Sequence, residues 1–213
     1  MSMLDIKTIE RALKKPGKTK GGLAAAMGVR AGAVSELFSG IRLIKASEIP
    51  LITEYLGLNA VPIMGRVGAG ASIEPEHEQV PPEGLGEVEL PFPIDEETIA
   101  FEVAGDSMLP KYENGDIIVV FRHQRHPVSS FYGEEAVVRL KSGERYLKTI
   151  ERGKSSPLVN LKSFNAKPIN GVKLEWIGEI CVTLPRGQIE RLKNKAARTR
   201  KAAAKATGRA TEK

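Results

Sequence analysis

The chain of 213 residues contains one cysteine, Cys181. A single thiol excludes an intramolecular disulfide framework and a cysteine-based zinc site. The three histidines, His77, His123 and His126, lack tight metal-ligand spacing, so no metal or cofactor is expected. Long hydrophobic runs are missing too. The longest are pieces such as Ile117–Phe121, far below the roughly 18 apolar residues of a membrane-spanning helix. Met1 to Lys20 contains no apolar core of a signal peptide. No internal repeat is present. The expectation is a cytoplasmic chain of one to two domains, with no membrane partner. Its 41% apolar residues suffice for a core, and its 27% charged residues are an ordinary share for a soluble protein.

Charge is present but unevenly spread. Residues 1–60 carry 9 basic and 5 acidic side chains, residues 61–187 carry 14 and 19, and residues 188–213 carry 9 and 2. Between Val67 and Pro110 there are 11 acids and no lysine or arginine. A positive head and tail around an acidic middle point to a polyanion at the two ends. Two merely solvated basic ends are the alternative.

Apolar periodicity divides the chain. Leu4, Ile6, Ile9, Ala12 and Leu13 recur at helical spacing up to Pro16-Gly17. Leu23, Ala24 and Met27 form a second helical face, and Val29, Ala33, Val34, Leu37 and Phe38 a third. Ala46–Leu56 forms a fourth, with Ile49, Ile52 and Leu56 inward. Residues 57–100 are rich in glycine and proline and read as linker and extended segments. From residue 100 to 184, β-branched runs predict strands at 100–103, 116–121, 135–140, 145–150 and 177–184, with Ser142-Gly143 as a hairpin turn. Residues 188–213 are rich in alanine, lysine and arginine and are expected to be disordered or transiently helical.

The segment from Leu23 to Gly40 has the requirements of a helix-turn-helix. Ala25 offers a small residue where the second helix crosses the first. Gly28 tolerates left-handed backbone at the turn. Val29, Val34 and Leu37 supply apolar contacts. A plain helical hairpin used only for packing is the alternative. The segment resembles the helix-turn-helix of phage repressors of the lambda-repressor and Cro type, over residues 4–56. The resemblance implies double-stranded operator DNA as partner, with the second helix in the major groove. That helix carries Arg30, Ser35, Glu36 and Ser39, with the destabilising Gly32 inside it. Arg30 suits guanine, Ser35 a base or phosphate, and Glu36 either a cytosine amine or solvent. Lys18, Lys20, Arg42 and Lys45 flank the helices as phosphate ligands.

A serine and a lysine stand out in the strand-rich half. Ser107 lies in Gly105-Asp106-Ser107-Met108-Leu109-Pro110, a turn after a strand. Lys148 lies 41 residues later, and strand alternation puts Tyr146, Lys148 and Ile150 on one face. A lysine on an apolar face loses proton affinity. A neutral amine can take a serine proton and make the hydroxyl a nucleophile. On spacing alone, a surface lysine is the alternative.

These residues, with Asn114-Gly115-Asp116 and Arg145-Tyr146-Leu147-Lys148, resemble the self-cleaving peptidase domain of LexA, the mutagenesis protein UmuD and phage repressors, over about residues 60–184. The resemblance implies that Ser107 is the nucleophile and Lys148 the general base. It implies that the backbone N–H groups of Asp106 and Ser107 form an oxyanion hole, with Asp106 shaping the turn. It also implies cleavage of the same chain at Ala69-Gly70, where small residues admit close backbone approach and Val67 anchors a shallow apolar pocket. A flexible linker is the plainer reading of those glycines. Gly68 departs from the bulkier residue common in the family, which bears on cleavage rate.

The expected architecture is multidomain. An all-α helix-turn-helix domain spans 1–58, and a linker with the cleavage site spans 59–80. A mostly-β LexA-like peptidase and dimerisation domain spans 81–187, and a disordered basic tail spans 188–213. The tail residues Lys193, Lys195, Arg198, Arg200, Lys201, Lys205 and Arg209 are either solvated or bind phosphates without sequence preference. The expected function is a nucleoid-associated repressor that forms a homodimer. The family implies inactivation by self-cleavage stimulated by a RecA–single-stranded DNA filament. Two rivals differ in class: a non-cleaving regulator whose β domain only dimerises or binds an antirepressor, and a peptidase acting on other proteins.

Overall fold

Helix capping starts the fold. The Asp5 carboxylate accepts from the Thr8 N–H at 2.7 Å and begins α1 (Ile6–Ala12). The Thr19 hydroxyl accepts from the Gly22 N–H at 3.0 Å and begins α2 (Lys20–Met27). Gly28, with φ 66°, ends α2 in left-handed backbone. α3 (Ala31–Phe38), a 3-10 turn at Ala46–Glu48 and α4 (Ile49–Leu56) follow. This computed structural model describes residues 4–68, 84–94 and 97–191.

The chain divides into two compact units, Met1–Val61 with Glu89–Glu96, and Pro62–Val88 with Glu97–Lys213. In the first, Ile9, Leu23, Val34, Leu37, Ile52 and Leu56 make one core. The small buried residue of α2 is Ala24; Ala25, expected at the helix crossing, is exposed. Against α4, a Cβ at Gly22 would run into the Tyr55 hydroxyl. Backbone bonds from Leu90 N–H to Asn59 O (2.8 Å) and from Ile94 N–H to Leu58 O (2.9 Å) tie the later segment to this unit.

The second unit is built on one sheet. Its strands are β1 (Ala60–Gly68), β2 (Glu87–Glu89), β3 (Thr98–Ala104), β4 (Ile117–Phe121), β5 (Glu135–Leu140), β6 (Arg145–Arg152), β7 (Val159–Lys162), β8 (Ile169–Val172) and β9 (Leu174–Leu184). Their order is β2-β1-β3-β4-β9-β5-β6-β7-β8. A further β1–β6 pairing closes β1, β3, β4, β9, β5 and β6 into a ring. β1 runs parallel to β3 and β6; the other neighbours from β3 to β8 are antiparallel. Alternate side chains feed two clusters. Val67, Val103, Met108, Ile118, Val137 and Leu147 belong to one, and Ala136, Val138, Tyr146, Ile150, Leu161 and Ile177 to the other.

Several elements differ from the sequence reading: β7 and β8 were not expected, and β9 begins at Leu174, ahead of the expected residue 177. Residues 60–68, read as linker, are strand β1, with Val61 and Val67 buried. Glycines at 65 and 68 mask a strand that pairs with β3 and β6. Residues 186–191, read as partly in the tail, are helical, and Ile189 is buried. The tail from residue 192 and the bond Ala69-Gly70 lie outside the described residues. Among those residues no helix is long and apolar enough to cross a membrane.

Candidate active site

The turn after β3 is held by its own polar side chains. Gly105, with φ 100°, takes a backbone conformation open to glycine, and its N–H donates to Asn114 Oδ1 at 3.1 Å. Leu109 N–H donates to Asp106 O at 3.0 Å, and Lys111 and Tyr112 N–H both donate to Met108 O at 3.1 Å. Buried Asp116 closes the loop, accepting from Glu113 N–H at 2.9 Å through Oδ2 and from Arg186 N–H at 3.0 Å through Oδ1. Met108 and Tyr112 anchor the turn in the first sheet cluster. Ser107 is thereby held with no exposed surface.

Lys148 comes from β6. It is opposite Ala136 of β5 and shares the strand face of Tyr146 and Ile150. Only 3% of its surface is exposed. Its Nζ is hydrogen-bonded to Ser107 Oγ. Burial disfavours the ammonium and lowers its pKa from 10.5 to about 8. The Lys111–Glu135 ion pair, at 2.8 Å, ties the serine loop to β5 beside Ala136, and it raises the Lys111 pKa.

The end of β1 lies in the same region of the sheet. Val67 pairs with Val103, and Gly68 pairs with both Ala104 and Tyr146. Gly68 thus lies in register with residues three before Ser107 and two before Lys148. Val67, expected to anchor an apolar pocket, is fully buried with Met108 and Leu147.

Asn165 escaped sequence reading. Its N–H donates to Ser107 O at 2.7 Å and its Nδ2 to Asp106 O at 3.3 Å. Arg145 was read as part of its motif without a role of its own; its Nη1 donates to Met64 O of β1 at 3.1 Å. Neither had a signal in spacing, because each acts across the sheet on a main-chain carbonyl. The only sequence hint for Asn165 is an asparagine in a turn-rich stretch, Ser163-Phe164-Asn165.

The proposed DNA-facing residues have mixed surroundings. Lys18 lies over the Tyr55 ring at 5.0 Å, and Lys20 over the Phe38 ring at 4.5 Å. Ser35 is exposed; Ser39 Oγ donates to Glu36 O at 3.2 Å. Arg30 pairs with Glu36 at 2.6 Å, so Glu36 faces its own arginine. Arg42 is drawn mostly out of solvent by an ion pair with buried Glu48, whose carboxyl it holds below the usual range. Structure therefore gives Arg42 a role inside the unit, unlike the phosphate ligand read from sequence. Lys45 is exposed, and its N–H donates to Glu48 Oε2 at 3.0 Å.

A serine hydroxyl and a desolvated amine, packed together in a mostly-β unit, can do the chemistry of a serine peptidase without histidine. A family model described as Peptidase S24-like matches residues 62–181, more than half of the chain. The chain belongs to that family, the LexA/UmuD-type serine peptidases that cleave themselves. The match does not reach the helices that precede residue 62. No curated protein matches the chain.

Proposed function

We propose that the chain is a DNA-binding transcriptional repressor of phage type that inactivates itself by cutting its own Ala69-Gly70 bond. The observation that carries the peptidase half is the hydrogen bond between buried Lys148 and buried Ser107. Neutral Lys148 takes the Ser107 proton as Oγ attacks the Ala69 carbonyl. The Ser107 N–H, joined by that of Asp106, steadies the oxyanion. The amine then delivers the proton to the departing Gly70 nitrogen. Water hydrolyses the Ser107 ester, leaving an Ala69 carboxylate and an intact serine.

Cleavage in cis is supported by the register of Gly68 against Ala104 and Tyr146, one peptide bond from Ala69. A substrate tethered this closely has a high effective concentration, which disfavours the peptidase acting mainly on other proteins. The DNA-binding half rests on the α2–Gly28–α3 hairpin and on the basic balance of residues 1–60. A homodimer joins two heads, and cleavage separates each head from its dimeriser, removing avidity for operator DNA. A RecA–single-stranded DNA filament is the proposed inducer.

The test is incubation of the full chain from pH 6 to 10, with and without RecA, single-stranded DNA and a nucleotide, read by intact mass. Fragments ending at Ala69 and starting at Gly70, absent in Ser107→Ala and Lys148→Ala, are expected. An intact chain under every condition overturns the autopeptidase and leaves a non-cleaving regulator.

A further inference from the structure

Two consecutive carbonyls of the serine turn point at one side chain's residue. Asn165 Nδ2 donates to Asp106 O at 3.3 Å, and Asn165 N–H donates to Ser107 O at 2.7 Å. A trans peptide is planar, with its C=O and N–H on opposite sides. Holding the Asp106 carbonyl therefore also sets the direction of the Ser107 N–H, which belongs to the same peptide unit. Holding the Ser107 carbonyl fixes the far side of the nucleophile's own residue. The Ser107 N–H has no acceptor among the described residues, although Ser107 has no exposed surface. Buried N–H groups without a partner are rare in folded proteins, and an incoming carbonyl oxygen would supply one.

We infer that Asn165 is a positioning residue for self-cleavage: its side-chain amide locks the Asp106–Ser107 peptide unit so that the Ser107 N–H faces the oxygen on which charge develops. This rests on the peptidase reading proposed above. Asn165 touches neither the scissile bond nor Lys148 in this scheme. It acts through the main chain, from the exposed segment between β7 and β8. Donors aimed in advance at developing charge act without reorganisation during the reaction. Loss of the aiming group lets the peptide unit swing, and a misdirected donor forfeits part of its effect.

The experiment compares self-cleavage of the full-length wild type, Asn165→Ala, Asn165→Asp and Asn165→Gln from pH 6 to 10, alongside Ser107→Ala and thermal unfolding of each. Asn165→Ala and Asn165→Asp are expected to lower the plateau rate about 10- to 100-fold, below the full loss of an oxyanion donor. Asn165→Asp is the sharper probe, because a carboxylate keeps the shape but offers Asp106 O no proton. The midpoint of the pH profile is expected to stay with that of the wild type, since the amine is untouched. Melting temperatures are expected to stay unchanged, and Asn165→Gln, which retains the donor, is expected to recover part of the rate. Wild-type rates in both Asn165→Ala and Asn165→Asp overturn the inference. So does a rate loss accompanied by a moved midpoint or a lowered melting temperature, which marks a general loosening of the loop. Failure of the wild type to cleave, or cleavage surviving Ser107→Ala, overturns the peptidase reading itself.

Discussion

Replacing Lys148 by methionine is expected to stabilise the protein at neutral pH and to abolish its self-cleavage. Methionine has a similar reach, needs no water and carries no charge. The magnitude follows from the lysine's pKa, about 8 in the folded chain against 10.5 as its ordinary value. Below pH 8 the amine is protonated in folded and unfolded chains alike, and the folded state bears the whole penalty of a buried ammonium. Between pH 8 and 10.5 the unfolded chain holds the extra proton, so stability rises with pH. Above 10.5 both forms are neutral and the penalty has gone. At 1.36 kcal/mol per pKa unit, it amounts to about 3 kcal/mol below pH 8. Both chains should be measured in a Ser107→Ala background, which prevents cleavage and removes the hydroxyl that methionine would leave without a partner. Urea unfolding at pH 6.5 should favour Lys148→Met by about 3 kcal/mol, shifting the midpoint by about 1–2 M for an ordinary urea slope. The advantage should shrink steadily from pH 8 to 10.5. A difference that stays constant to within about 0.5 kcal/mol across that range would refute the reasoning, because it would mean that Lys148 is not desolvated.

Further outcomes follow from other contacts. The self-cleavage rate of the wild type should rise about tenfold per pH unit below pH 7 and level off above about 8, since only the neutral amine accepts a proton; a flat profile in quench-flow or gel time courses argues against a lysine base. Gly32→Ala should stabilise the helical unit by about 0.5–1 kcal/mol in denaturant titration, because Gly32 is helical and a Cβ there meets nothing within 4 Å. Gly22→Ala should destabilise by about 1–3 kcal/mol in the same assay, since its Cβ would displace the Tyr55 hydroxyl that accepts from Thr19 N–H at 3.0 Å. Glu48 is held ionised chiefly by Arg42, so its contribution should be present above its unfolded pKa of about 4.5 and disappear as pH falls through its lower folded value. Glu48→Gln should lower stability at pH 7, and the difference should shrink as pH falls below about 4.5.

Much was legible in the order of residues alone. The four N-terminal helices follow from apolar spacing, and Gly28 ends α2 in left-handed backbone as its lack of a Cβ allows. β3, β4, β5, β6 and most of β9 follow from β-branched runs, whereas the short β7 and β8 went unread. Lys148 between Tyr146 and Ile150 was readable because a two-residue period is local information. Tertiary structure decided the rest. β1 was hidden among glycines because its strand character comes from β3 and β6, which are distant in sequence. Ala25 looked like the helix crossing point, but it is exposed and the small buried residue of α2 is Ala24. Arg42 read as a surface cation until Glu48 drew it inward. Asn165 binds main-chain carbonyls 58 and 59 residues away, where nothing in its neighbours reports the partner. The sequence by itself determined the four helices, five of the strands, and which hydroxyl and amine were candidates, because periodicity and residue chemistry are local. Only the tertiary structure decided that the amine is dry and touches the hydroxyl, because burial and contact depend on strands that meet from across the chain.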